Sequence, residues 1–339
     1  MSRNLSVAVI GAGRMGVDHI QRLARRTHGA EVSAVVDIDP ARAAAAAAGI
    51  PGAAALTDIR LALEDPRTDA VLIATPGFLH EEALHAAIAR DIPILCEKPL
   101  TPDSVSAWRV VQAEEKLGRQ RIQVGFMRRY DAEYAHLAEL IRSGELGGLL
   151  MLHHQHRNPA TPPGFTNEML INDSVVHEFD AVRFFTGEEI TSVQVRSGKT
   201  TRSAPEGMKD PQQVLMETTS GVLADVEIYV NAQYGYEVGT QAVFEQGVVR
   251  IGNDAGPYLS TRGRWGGTVL PGFAERFSTA YDREIQAWVD AALQGEIDGP
   301  GAWDGYAAAA CCEAGVEAQK TGLPVAVVLH EKPLLYLQG

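Results

Sequence analysis

The chain is poor in cysteine, in basic residues and in long apolar runs, and each shortage narrows what it can be. Its 339 residues include three cysteines, Cys96, Cys311 and Cys312. Three thiols build no disulfide framework, and two adjacent ones make poor joint ligands for one metal, so free thiols in a reducing compartment are expected. No stretch approaches the roughly 20 apolar residues that a membrane-spanning helix needs. Lys and Arg number 30 against 43 Asp and Glu, a formal net charge of −13. Nucleic acid and anionic membranes both call for a basic face, so neither is an expected partner. The opening MSRNLSVAVIGAG lacks the apolar core and small-residue cleavage site of a secretory signal and leads straight into a glycine motif. The expected location is cytoplasmic.

What is present is globular: 45% hydrophobic and 6% aromatic residues, over a length that suits two domains. Leu5 to Ile10 reads as a buried parallel strand, followed by GAGRMG with Gly11, Gly13 and Gly16 in G-x-G-x-x-G spacing. The first glycine permits a tight turn, and the second lets the backbone approach a pyrophosphate. The third lets the helix from Val17 to Arg26 pack close, its N-terminal N–H groups aimed at the phosphates. Arg14 and Met15, inside the motif, join the cofactor-binding set. A second strand, Val32 to Val36, ends in Asp37, at about the spacing of a ribose 2′-hydroxyl ligand. A carboxylate there repels a 2′-phosphate, and Ile38 beside it offers no cation, so the expected cofactor is NAD.

Asp39 reads as an N-cap ahead of Pro40, and the alanine run Ala43 to Ala48 as a helix stopped at Gly49. Further strands are expected at Ala70 to Thr75, Ile92 to Cys96 and Arg121 to Phe126. TPGFLH, Thr75 to His80, follows the first of these, and EKP, Glu97 to Pro99, the second. Strands alternating with helices predict a doubly wound parallel (Rossmann) sheet, whose ligands lie beyond the carboxyl ends of the strands. Gly11, Asp37, Thr75 and Lys98 all fall there, and Pro76, His80 and Glu97 complete the expected cofactor-binding set.

The stretch richest in possible chemistry is INDSVVHEFDAVRFFTG, Ile171 to Gly187. Its apolar positions suit a buried helix, stopped at Gly187. Asp173, His177 and Asp180 stand four and three residues apart, on neighbouring turns of one helical face. An imidazole oriented by a carboxylate one turn away can take a proton from an alcohol near neutral pH. Lys98 is held extended by the proline after it, where its ammonium could stabilise a developing alkoxide.

With these motifs in order, the chain resembles the oxidoreductase family of glucose–fructose oxidoreductase and inositol dehydrogenase (Gfo/Idh/MocA). The likeness runs through GAGRMG, VVDID, IATPGFLHEE, CEKPL and the D-x-x-x-H of Asp173 and His177. GFMRRYD, HHQHRN, INDSVVHEFD and FAERFSTAYDRE are similar to segments of its bacterial inositol 2-dehydrogenase branch. One departure is Gly77, where the family often has Asn. The resemblance implies an NAD-binding domain over residues 1–124 and a substrate-binding and oligomerisation domain over 125–339, commonly assembled as tetramers. It implies a catalytic trio of Lys98, Asp173 and His177, with His177 taking the hydroxyl proton, Asp173 orienting or sharing it and Lys98 positioning the oxygen. Asp180 would support from behind. The implied reaction is NAD-dependent oxidation of a ring alcohol of a cyclic polyol, myo-inositol to its 2-keto form. Alternatives are scyllo-inositol, another isomer, a pyranose, or a dinucleotide-binding sensor without chemistry.

The remaining motifs are read around that frame. Arg128 is expected at the substrate by resemblance and Arg129 in a salt bridge. MLHHQHR, Met151 to Arg157, reads as the opening strand of the second domain, with His154 and His156 on one face and His153 on the other. Three histidines suggest zinc, but no matching Cys or carboxylate spacing accompanies them, and no metal is expected. By resemblance His156 and Asn158 lie near the polyol, as does Tyr281 in the helix from Phe273 to Leu293. Tyr234 and Tyr236 are candidate sugar-facing aromatics. Strands expected at 190–196, 213–219, 222–230, 240–245 and 247–251 predict an open, largely antiparallel sheet in an α+β second domain. Trp303 to Lys320 reads as a last helix, with a strand after it at Val325 to Leu329.

Overall fold

A computed structural model describes residues 4–252 and 259–337. The first strands and helices alternate as expected. They are β1 (Leu5–Ile10), α1 (Arg14–Arg25), β2 (Ala30–Val36), α2 (Pro40–Ala47), β3 (Ala54–Leu56), α3 (Ile59–Glu64), β4 (Ala70–Ile73), α4 (His80–Ala89), β5 (Ile94–Glu97), α5 (Ser104–Leu117) and β6 (Ile122–Gly125). The six strands form one parallel sheet in the order β3-β2-β1-β4-β5-β6. This is the doubly wound arrangement, with its crevice between β1 and β4. Strands β1, β4, β5 and β6 are buried throughout, as strands covered by helices on both faces must be. Asp39 caps α2 by accepting the N–H groups of Ala41 and Arg42, with Pro40 opening the helix.

The rest of the chain comprises α6 (Ala132–Ser143), β7 (Leu149–Arg157), α7 (Val176–Thr186), β8 (Ile190–Ser197), β9 (Gln212–Thr218), β10 (Leu223–Tyr229), β11 (Glu237–Phe244), β12 (Val248–Ile251), β13 (Leu259–Thr261), β14 (Arg264–Gly266), α8 (Phe273–Arg276), α9 (Ser278–Leu293), α10 (Ala302–Thr321) and β15 (Val325–Ala326). A seven-stranded sheet runs β12-β11-β7-β10-β9-β8-β15, antiparallel except where β7 meets β10. In β9 and β10 buried and outward residues alternate strictly, the signature of a sheet packed on one face only.

The chain divides into two compact units. One comprises 1–126, 281–309 and 330–339, the other 127–280 and 310–329. The expected partition, with everything from 125 onward in the second domain, differs here: two late segments belong with the parallel sheet. The reason is burial. Ile285, Trp288, Val289 and Ala292 of α9 pack into one core with Val7, Val9, Leu72 and Leu95 of the sheet. Further on, Pro300 accepts the N–H of Val124 at the sheet's edge strand, a group that would otherwise be open to wrong pairing. The tail is tied down as well: Tyr336 donates to the buried Glu114 at 2.5 Å, and Gln120 donates to Leu335 O.

Two helices differ from expectation. The helix from Phe273 to Leu293 is broken at Phe277, whose ring is buried against Tyr134, Tyr236 and the Arg128 guanidinium. The stretch before α7 is a π turn, Leu170–Val175, so Asp173 and His177 lie on either side of a change in pitch. Such turns recur at functional sites. Gly187 ends α7 in the left-handed conformation, its N–H donated to Arg183 O.

Candidate functional site

In the first unit the glycine motif is explained atom by atom. A Cβ on Gly11 would stand 2.8 Å from the backbone of Ala74 and Thr75, and one on Gly16 would stand 1.9 Å from Gly11 O. These two glycines let β1, α1 and β4 approach one another. Among the described residues nothing lies within 4 Å of a Cβ on Gly13, which caps the N-terminus of α1. Gly13 therefore leaves a bare backbone and the helix N–H groups facing open space, a cradle that fits a pyrophosphate.

Asp37, at the end of β2, is buried and accepts three hydrogen bonds at 2.9 Å, from Ala12 N, Asp39 N and Arg42 Nη2. Burial alone would raise its carboxyl, but the N–H groups of Asp39 and Ala12 and the guanidinium of Arg42 outweigh it and hold it below the usual range. The expectation that no cation stands beside Asp37 is corrected here: Ile38 is solvent-exposed, yet Arg42, five residues on, reaches back.

At the ends of β4 and β5, the buried His80 ring sets Nδ1 2.8 Å from Pro99 O and Nε2 2.7 Å from Thr75 O. Its nitrogens are thereby committed to the backbone. It ties two loops together where sequence reasoning expects a cofactor contact. Thr75 Oγ1 is buried with no hydrogen-bond partner among the described residues, and Pro76 leads into the short turn 77–79. Gly77 lies so close to Pro99 that a Cβ would come within 3.1 Å of the ring. Glu97 Oε1 lies 2.6 Å from Nε2 of the buried His19 on α1, and its Oε2 accepts the N–H of Lys98. Lys98 stands half-buried just past β5, joined to Pro99 by a cis peptide bond. Tyr281, expected at the substrate, is buried in this unit, its ring edge-on to His19 at 6.0 Å and beneath the Arg22 guanidinium.

In the second unit, His177 opens the first turn of α7 and is largely buried, while Asp173 on the π turn is exposed. The adjacent arginines after β6 clamp the residues around His177. Arg128 Nη1 donates to Glu178 Oε1, and both side chains are buried. Arg129 forms a bidentate pair with the buried Asp180, at 3.1 and 2.6 Å. The expected salt bridge of Arg129 is thus with Asp180, the residue read as support. His156 Nδ1 lies 3.1 Å from Glu178 Oε2 and 3.3 Å from Arg128 Nη2. Burial would raise the Glu178 carboxyl, but Arg128 and His156 overcome it and hold it at about 2. Arg128, read as a substrate contact, therefore faces Glu178 and His156.

Tyr236 is buried with its ring edge-on to His156 at 6.2 Å. Asn158 Oδ1, just past β7, is buried with no hydrogen-bond partner among the described residues. Tyr234 is half-exposed and bonded to Arg157 and Glu237. Alternation along β7 holds: His154 and His156 are buried, and His153 faces outward, paired with Asp225. Among the described residues no group of three or more His, Cys, Asp or Glu could hold a metal ion.

Sequence reasoning missed His19, Arg42 and Glu178. Arg42 carried a local signal, since a side chain in the first turn of a helix can reach back over its own N-cap. Glu178 follows His177 directly, but its arginine lies 50 residues away.

Residues 5–126 match the oxidoreductase family with an NAD-binding Rossmann fold, and residues 134–250 match the GFO/IDH/MocA C-terminal domain. The chain is 74% identical over 336 residues to the inositol 2-dehydrogenase of Arthrobacter sp. (strain FB24), covering 99% of this chain and 100% of that protein. It is similar to the crystal structure of myo-inositol dehydrogenase from Lactobacillus casei in complex with NAD(H) and myo-inositol, with a TM-score of 0.95 at 36% identity over 98% of this chain and 99% of that one. The scyllo-inositol dehydrogenase of the same species, solved with NAD(H) and scyllo-inositol, has a TM-score of 0.88 at 24% identity over 96% and 99% of the two chains, a likeness of fold alone. Two matched domains and 74% identity along essentially the whole chain converge: the chain belongs to the GFO/IDH/MocA family of NAD-binding oxidoreductases.

Proposed function

We propose that the protein oxidises a ring secondary alcohol of a cyclic polyol, myo-inositol to its 2-keto form, scyllo-inosose, with NAD as acceptor. The observation that carries this reading is the 74% identity along essentially the whole chain to an inositol 2-dehydrogenase. The L. casei enzyme solved with NAD(H) and myo-inositol supports it.

Bound NAD supplies the acceptor for the hydride that leaves the carbinol carbon. His177 takes the hydroxyl proton, and Asp173, four residues earlier, orients the imidazole or shares its charge. Lys98 donates to the same oxygen and favours its alkoxide character as the carbon–hydrogen bond breaks. His156, Asn158 and Tyr236 contact the ring hydroxyls, and Arg128 acts from behind His156.

The outward face of the second sheet mixes the apolar Met151, Leu215 and Leu223 with paired charges such as His153–Asp225 and Arg157–Glu227. This composition supports a subunit contact, and we assign a homotetramer, checked by light scattering of the eluted protein. Three buried thiols support a cytoplasmic location.

The test is NADH formation by purified protein given NAD or NADP and a panel of inositol isomers and aldopyranoses. Turnover of myo-inositol with NAD is expected. Lys98→Ala and His177→Ala should each lower kcat on the order of 10²–10⁴-fold with NAD binding kept, and near-normal activity in either overturns its role. Activity confined to scyllo-inositol or a pyranose replaces the substrate. Silence across the panel beside clear NAD binding points to a dinucleotide sensor instead.

A further inference from the structure

We propose that Glu178 is a positioning residue that fixes the tautomer of His156, so that His156 Nε2 meets the substrate as a hydrogen-bond acceptor. The proposal rests on the reading that His156 faces a ring hydroxyl of a polyol.

The argument begins with burial. Glu178 is fully buried on α7, and an ionised carboxylate there can only accept hydrogen bonds. One oxygen is taken by Arg128 Nη1, and the other lies 3.1 Å from His156 Nδ1. Proximity to the Arg128 guanidinium keeps the carboxyl ionised throughout the neutral range. A proton on Nδ1 satisfies this oxygen, whereas a bare Nδ1 would set two lone pairs against each other. Arg128 Nη2, a donor 3.3 Å from the same nitrogen, pulls toward the opposite tautomer. Both contacts are charge-assisted, but the carboxylate one is the shorter, and the guanidinium already spends its charge on the same carboxylate through Nη1, so the Nδ1 proton prevails. A neutral imidazole with its proton on Nδ1 has an unprotonated Nε2. Tyr236, edge-on at 6.2 Å, limits rotation that would exchange the two nitrogens.

The consequence is a rule of polarity. A ring hydroxyl meeting His156 must donate its proton to Nε2. A substituent that only accepts, such as fluorine or a ketone oxygen, faces a lone pair instead. Glu178 thereby acts on selectivity through His156 without touching the substrate.

Neutron diffraction from perdeuterated wild-type crystals tests the tautomer directly. Deuterium on His156 Nδ1 alone is expected; deuterium on Nε2, with or without one on Nδ1, overturns the proposal. The functional arm compares singly deoxyfluorinated inositols with their parent in wild type and Glu178→Gln. A glutamine can present its amide N–H₂ to Nδ1 and reverse the tautomer. At one ring position the wild-type kcat/KM should fall at least tenfold, by about the cost of a lost donor. In Glu178→Gln that penalty should shrink to about threefold or less, since the partner group has become a donor. Equal discrimination by both proteins at every position overturns the proposal, whereas a merely structural role would lower all substrates together. Should Glu178→Gln not fold, the neutron arm decides alone. Wild type inactive on every parent inositol would overturn the functional reading and leave the tautomer result standing.

Discussion

Asp37 Oδ2 accepts the backbone N–H of Ala12 at 2.9 Å, joining the end of β2 to the glycine turn 25 residues earlier. The same side chain holds Arg42 through its other oxygen. Replacing Asp37 with Ser removes the repulsion of a 2′-phosphate and releases a guanidinium suited to bind one. Asp37→Ser should raise the KM for NAD on the order of tenfold or more and bring in NADP activity, as the loss of one charge-assisted contact predicts. Adding Arg42→Ala should abolish the NADP gain. Steady-state kinetics with both cofactors decide it; NADP activity that survives in the double variant refutes the role of Arg42.

The second and third positions of the glycine triplet should separate binding from stability. Gly16→Ala sets a Cβ 1.9 Å from Gly11 O, a backbone clash that costs about 3 kcal/mol or more. Gly13→Ala meets nothing within 4 Å among the described residues. Its melting temperature should match wild type, while its NAD affinity drops by roughly 1–3 kcal/mol because the methyl intrudes on the pyrophosphate. Calorimetry of both variants, with and without NAD, reads the two effects. A destabilised Gly13→Ala with normal NAD affinity would reverse the assignment.

Arg129 and Asp180 make a planar bidentate contact, and the aspartate is almost entirely buried. Arg129→Ala removes that partner and should cost about 3 kcal/mol. Arg129→Lys should recover less than half, because an ammonium cannot reproduce the fork. Chemical denaturation measures both; a lysine variant as stable as wild type argues that charge alone matters there.

The acid limb of stability should carry a histidine signature. Burial pushes the His154 imidazole down to about 4, against roughly 6.5 in an unfolded chain. The unfolded state therefore binds the proton first as pH falls. Stability declines from about pH 6.5 to about pH 4, by about 3 kcal/mol in total, and then levels off for this group. Glu178, held at about 2, has the ordinary carboxylate sign: its contribution is present above about pH 4.5 and is lost toward pH 2. Stability measured against pH for wild type and His154→Gln should differ in slope only in the upper window. Parallel curves there would mean that His154 titrates normally in the fold.

Elements with a strong local period were legible from residues alone. LSVAVI followed by GAGRMG had one reading, and Asp37, Lys98 and His177 stood out because each closes a strand or opens a turn. What was not legible depended on contacts far apart along the chain. Glu97 meets His19 across 78 residues, and Arg128 meets Glu178 across 50. No spacing rule reaches so far. β3 escaped because it is three residues of Ala-Ala-Leu at a sheet edge, where alanine gives no strand signal. The π turn before α7 escaped because a 3.6-residue period cannot announce its own interruption. The return of α9 to the first unit escaped because an amphipathic helix shows that it has a partner, not which one.

That return bears on how the protein is made. A ribosome releases β1 to β6 well before it reaches Ile285 and Trp288, at roughly 5–20 residues per second. Through that interval Val7, Val9, Leu72 and Leu95 lack the helix that covers them in the finished core. Nor can the second unit close early, since residues 310–329 belong to it. Translation therefore cannot finish one unit and proceed to the next; both mature near the end of synthesis. A message truncated anywhere before α9 would yield an open apolar sheet face, a ready substrate for chaperones and proteases, and not a working nucleotide-binding fragment.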